Sequence, residues 1–176
     1  DIPSSLGSTI KSVETDYSSP ADAGKIWYNS TGGAFKVTPS IAAWSSGSSL
    51  ITARRSLAGT GTQTAGLGFA GYSTAVTTAT EEYNGSGWSN GGNMTTARQQ
   101  LGAAGTQTAA LGFGGISPAV TNATEEYNGT SWGPGGNMAT ARRILAGAGT
   151  QTAGLAFGGF TTVNLNATEE YNGTSW

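Results

Sequence analysis

The chain has 176 residues, 29 of them Gly, a formal net charge of −2 and 10% charged side chains, far below the roughly 25% of ordinary globular proteins. It holds neither cysteine nor histidine, which excludes a disulfide framework, a thiolate metal site and the commonest general base and metal ligand; no cofactor is expected. The near-neutral charge leaves no electrostatic footprint for nucleic acid, and no apolar run approaches the roughly 18 residues of a membrane span.

Low charge alone would allow disorder, but disordered chains carry high net charge, and here apolar residues recur at fixed spacing. The start at Asp1, without methionine or a signal-like stretch, implies a processed product or a piece of a longer chain. Within residues 1–44, Ile26–Tyr28 and Phe35–Val37 flank a Ser-Thr-Gly-Gly turn and read as a β-hairpin.

From Trp44 onward the chain repeats without a gap. Trp44, Trp88, Trp132 and Trp176 are spaced by 44 residues, which divides the chain into a divergent segment, 1–44, and units 45–88, 89–132 and 133–176. Thr-Ala-Arg recurs at 52–54, 96–98 and 140–142, Gly-Thr-Gln-Thr begins at Gly61, Gly105 and Gly149, and Ala-Thr-Glu-Glu-Tyr-Asn-Gly begins at Ala79, Ala123 and Ala167.

Local pattern decides for strands over helices. In the first unit a strand is expected over about Ser56–Thr60 and a second over about Gln63–Phe69, where Leu67 and Phe69 share a face. Ala70-Gly71 closes the second strand, as Gly114-Gly115 and Gly158-Gly159 do later. A third strand covers about Ala79–Tyr83, and a fourth starts near Trp88 and runs into the next unit. Between them Asn84-Gly85, like Asn128-Gly129 and Asn172-Gly173, marks a hairpin, because both residues tolerate positive φ.

Four strands per unit is the pattern of a propeller blade. A strand ending in Gly-Gly, then Glu-x-Tyr, then Trp, resembles the kelch repeat; the third unit supplies Gly158-Gly159, Glu169 or Glu170, Tyr171 and Trp176, with Arg142 before its first strand. The resemblance covers residues 45–176 and implies an all-β fold of kelch-like four-stranded blades, a partial propeller or one completed by other chains. Closure takes ~4–8 blades. Residues 1–44 offer a degenerate fourth, with Ile26–Tyr28 at the second-strand position and Trp44 at that of the repeat Trp. The N-terminal hairpin is similar to short β modules of phage tail and fibre proteins, and the whole resembles virion proteins of aquatic phages. That likeness implies a structural or receptor-binding role with other fibre proteins and a host-surface glycan as partners, and self-association or a longer chain. A secreted bacterial adhesin or filament subunit is the alternative.

Candidate chemistry is sparse. Adjacent strand residues point to opposite faces, so one Glu of each Glu-Glu pair lies inward. Assigning Glu82, Glu126 and Glu170 to that role, they need cations, and Arg54, Arg98 and Arg142 recur in step to supply them. Paired carboxylates could serve glycoside hydrolysis, but perfect periodicity favours a structural role, so no catalytic residue is assigned. Enzymes resembling galactose oxidase use kelch-type propellers, yet their copper chemistry needs His and Cys. The Trp series reads as packing between blades rather than as a sugar platform; Trp27, off the series, is the better surface candidate. The units differ most at Tyr72–Thr78, Ile116–Asn122 and Phe160–Asn166, between second and third strands. Varied loops on a fixed scaffold suit recognition, so Tyr72, Ser73, Ser117, Asn122, Phe160 and Asn164 are the ligand-binding candidates. Seven Asn-x-Ser/Thr triplets, from Asn29 to Asn172, would be glycan acceptors in a secreted eukaryotic protein and are otherwise what a chain rich in Asn, Ser and Thr yields by composition.

Overall fold

The computed structural model describes residues 26–29, 33–37 and 46–176. All regular structure among them is β, and no helix is long and apolar enough to cross a membrane. Asp1–Ser46 and Gly47–Trp176 are separate compact units. In the first, β1 (Ile26–Asn29) and β2 (Ala34–Val37) pair antiparallel with Tyr28 opposite Phe35; this is the expected hairpin. Trp44, expected to open the repeat series, lies outside the described residues, as does the side chain of Trp27.

The second unit holds three antiparallel meanders. In the first, β3 (Ala58–Thr62), β4 (Ala65–Phe69), β5 (Thr80–Tyr83) and β6 (Trp88–Asn90) lie in chain order. The second is built from β7 (Gly102–Gly105) and β8 (Ala110–Phe113). A small hairpin of β9 (Ile116–Ser117) and β10 (Ala119–Val120) follows, and then β11 (Thr124–Tyr127) and β12 (Trp132–Pro134) complete the sheet. Pro134 is tolerated because β12 is an edge strand. The third sheet comprises β13 (Ala146–Thr150), β14 (Ala153–Phe157) and β15 (Thr168–Tyr171). Strands fall within a few residues of the expected positions. The three sheets form no closed ring among the described residues.

The Asn-Gly signals close four-residue hairpin loops, since Tyr83 pairs with Trp88 and Tyr127 with Trp132. Asn84 Oδ1 accepts from the N–H groups of Ser86 and Gly87 at 3.0 and 2.9 Å, and Asn128 and Asn172 repeat this. The side chain thus satisfies the turn's own donors.

Strand register gives each sheet a forward face, toward the next unit, and a backward face. Leu67, Phe69, Thr80 and Glu82 lie on the forward face of the first sheet, because Leu67 opposes Glu82 and Phe69 opposes Thr80. Glu81, Tyr83 and Trp88 lie on the backward face. Cores form between sheets. Phe69 packs on Trp132 of the next unit, with ring centroids 4.6 Å apart, and Phe113 packs on Trp176 at 4.8 Å. One cluster joins Leu67, Phe69, Met94, Leu101, Tyr127 and Trp132; the other joins Leu111, Phe113, Met138, Leu145 and Tyr171. No unit buries its apolar face alone, the defining economy of a repeat array.

Candidate functional site

Each repeat Arg is buried before the first strand of its unit. Arg98 Nη1 donates to Gly114 O and Ala123 O at 3.0 and 2.6 Å, and Nη2 meets Glu125 Oε1 at 3.0 Å. Arg54 pairs with Glu81 at 3.1 Å and Arg142 with Glu169 at 3.0 Å. The expected ion pairs exist, but with the first Glu of each pair: Glu82, Glu126 and Glu170 are not the partners. The cause is register. Glu81 opposes Gly68 and Glu125 opposes Gly112, so the backward face has room for a guanidinium. The paired carboxylate also caps backbone: Glu125 Oε2 accepts from Thr95 N at 2.7 Å and Oε1 from Thr96 N at 3.3 Å. Burial lowers the pKa of Arg54 and Arg98, and the facing carboxylates push back.

The second Glu faces forward and ties one unit to the next. Tyr127 Oη donates to Glu82 Oε1 at 2.5 Å and accepts from Gly92 N at 3.3 Å; Tyr171 treats Glu126 and Gly136 alike. Burial, reinforced by the bond to Glu82 and partly offset by Gly92 N–H, pushes Tyr127 up to about 12. Tyr171 is raised for the same reasons, with Glu126 and Gly136 in those roles. Beside each Tyr, Trp132 Nε1 donates to Thr80 Oγ1 at 3.0 Å and Trp176 Nε1 to Thr124 Oγ1 at 2.9 Å. Sequence reasoning missed a third tie: Gln107 Nε2 donates to Gly66 O and Tyr83 O, and Gln151 Nε2 to Ala110 O and Tyr127 O. The unbroken Gly-Thr-Gln-Thr in all three units was its signal. Every one of these groups is thus engaged in holding the scaffold.

The most variable loops start along one rim. The residue after each buried Arg bridges to the start of a variable loop: Arg55 to Tyr72, Gln99 to Ile116 and Arg143 to Phe160. Gly71 allows this close crossing, since at φ +99° a Cβ would lie 2.8 Å from Arg55 O. Arg55 stacks over Tyr72, 4.5 Å from the ring centroid, and Arg143 over Phe160 at 5.3 Å. The following residues, Ser56, Gln100 and Ile144, all take left-handed backbone at φ 55–58°. Gln100 N donates to Ser56 O at 2.9 Å and Ile144 N to Gln100 O at 2.8 Å, which aligns the units at this edge. They line a shallow groove of about 410 Å³ with Leu57, Leu101, Leu145 and Ala146. A β-branched residue at positive φ is strained, and Ile144 is also 61% exposed. Its divergence from Ser56 and Gln100 in a constant setting was legible; its place in a groove was not.

The loop candidates divide. Tyr72 and Phe160 sit under arginines at this rim, Ser73 and Ser117 are half-buried just beyond, and Asn164, bridged to Phe160, is exposed. Asn122 is a correction: its Nδ2 donates to Met138 O at 2.7 Å, so its amide braces the following unit. Trp132 and Trp176 pack between units rather than presenting a sugar platform; Trp132 is buried between Phe69 and Tyr127, and Trp176 packs on Phe113. No protein-family model matches the chain, and no curated protein matches it in sequence.

Proposed function

We propose that the chain is a structural and receptor-binding part of a phage tail fibre or virion appendage, a kelch-like propeller array that offers its rim to a host-surface glycan and carries out no catalysis. The observation that carries this reading is the segregation of constant from variable residues. Constant side chains, Arg98, Glu125, Tyr127, Trp132 and Gln107 among them, are engaged in buried ties. The most variable loops start at one edge, where left-handed backbone at Ser56, Gln100 and Ile144 recurs in all three units. Strained backbone outside turns is an observation that points toward function.

The blade reading is supported by meandering sheets whose first strands approach one another. Thr60 Oγ1 donates to Gly105 O at 2.6 Å, and a Cβ on Gly147 would lie 2.2 Å from Ala103 O. Arginine guanidinium groups held over Tyr72 and Phe160, beside hydroxyls and amides, suit the hydroxyl groups of a sugar. Each site is shallow, so affinity comes from repetition.

The test is binding of the fluorescently labelled 176-residue chain to a panel of aquatic bacteria, before and after periodate cleavage of surface sugar diols. Labelling that periodate removes, and that the double variant Arg143→Ala, Phe160→Ala lowers severalfold, is expected. Absence of labelling, or labelling indifferent to periodate, contradicts the reading.

A further inference from the structure

The arginine doublets divide as the glutamate doublets do. Arg54 and Arg142 are buried against carboxylates, whereas their chain neighbours Arg55 and Arg143 meet none among the described residues. The glutamates of the units are placed elsewhere. Glu81, Glu125 and Glu169 face the buried arginines, Glu82 and Glu126 accept from Tyr127 and Tyr171, and Glu170 opposes Leu155 in the same forward register. The variable loops 72–78, 116–122 and 160–166 hold no charged residue, and neither does the lining of the groove. The rim is therefore positive, on a chain whose net charge is −2.

Both cations are fixed in place. Arg55 exchanges two backbone hydrogen bonds with Tyr72, at 2.9 and 2.8 Å, and Arg143 two with Phe160, at 3.0 and 2.8 Å. Each guanidinium then lies over the ring opposite. Arg143 Nη1 also donates to Gln100 Oε1 at 2.9 Å, across the joint to the preceding unit. Its Nε is buried, so its terminal nitrogens are what remain for a ligand. Among the described residues Arg55 finds no acceptor for any side-chain donor. The middle unit makes the same two-bond bridge with Gln99 and Ile116. The bridge therefore needs no ring; where the cation is missing, so is the aromatic that holds it.

We propose that the rim takes an acidic polysaccharide, with Arg55 and Arg143 binding the carboxylates of its uronic-acid residues. This rests on the rim reading above and names the class of glycan. A guanidinium without a counter-charge favours an anion over a neutral hydroxyl, because charge-assisted hydrogen bonds are the stronger kind. A sulfate ester presents the same oxyanion chemistry, and the test separates the two.

The test is equilibrium binding of the full 176-residue chain to soluble polymers. These are polygalacturonate and alginate, polygalacturonate with its carboxylates methyl-esterified, dextran sulfate, and single-stranded DNA. A uronic-acid polymer is expected to bind, with affinity falling as salt rises, and the ester to bind about tenfold more weakly or less well still. Arg55→Gln with Arg143→Gln places at both positions the residue that the middle unit carries at 99, and should weaken binding of the acid about tenfold. Gln99→Arg with Ile116→Phe completes the row and should strengthen it severalfold, an outcome that no folding defect imitates. Failure to bind either uronic-acid polymer, equal binding of acid and ester, dextran sulfate or DNA bound as tightly, or no change in either variant overturns the proposal. If cells are still labelled, and periodate still removes the label, such a result rejects the anionic ligand alone and leaves the rim as a reader of neutral glycans.

Discussion

Glu125 and Glu126 are chemically identical neighbours with different work. Removing Glu125 leaves Arg98 buried without its counter-charge, a loss of about 3–5 kcal/mol for a broken buried pair. Removing Glu126 deprives Tyr171 of one acceptor, worth about 1–3 kcal/mol. Glu125→Ala is therefore expected to lower the midpoint of chemical denaturation more than Glu126→Ala; the reverse order would mean that the second Glu is the one paired with arginine. Tyr127 adds a pH signature. Its hydroxyl titrates near 10 when unfolded and about 12 when folded. The unfolded state therefore releases its proton first, and the stability Tyr127 supplies is complete below pH 10 and lost as pH rises toward 12. A shift of that size is worth up to about 3 kcal/mol. Subtracting the stability curve of Tyr127→Phe from that of the unaltered chain should give a difference that shrinks across this window; a flat difference would refute the assignment.

At the scale of elements, close approach between first strands limits what the joint accepts. A Cβ on Gly147 would meet Ala103 O at 2.2 Å and the Phe113 ring at 2.6 Å. Gly147→Ala should cost about 1–3 kcal/mol, as overpacking does, and raise hydrogen exchange in β13–β15 before β3–β5; uniform change across the sheets would speak against a local seam. Strands and hairpins were legible because period-two patterning and Asn-Gly turns are local signals. The Arg-Glu partnership was legible from periodicity alone. Which Glu turns toward the arginine was not, because a strand's face is fixed by the partner opposite, here Gly68 for Glu81. Asn122 looked like a recognition residue because it ends one of the most divergent stretches, yet its Nδ2 donates to Met138 O. The groove escaped notice because Ser56, Gln100 and Ile144 are 44 residues apart and only the joint brings them together.

On the scale of the whole molecule, a constant framework holds a variable rim, and the two separate cleanly enough to be exchanged. Loop anchors repeat between units: Thr77 N donates to Gly71 O, Thr121 N to Gly115 O and Leu165 N to Gly159 O. Residues 72–78 should therefore fit in place of 116–122 and 160–166 with little loss of stability, apart from the bond that Asn122 gives to Met138. The most direct test is to make that chain, with three identical loops, and compare its glycan-array profile with that of the unaltered chain. The proposed recognition role predicts a folded protein with a changed profile, since on that proposal the loops read the ligand and the framework holds them. A folded protein whose profile is unchanged would contradict the account, and would place recognition outside the variable loops.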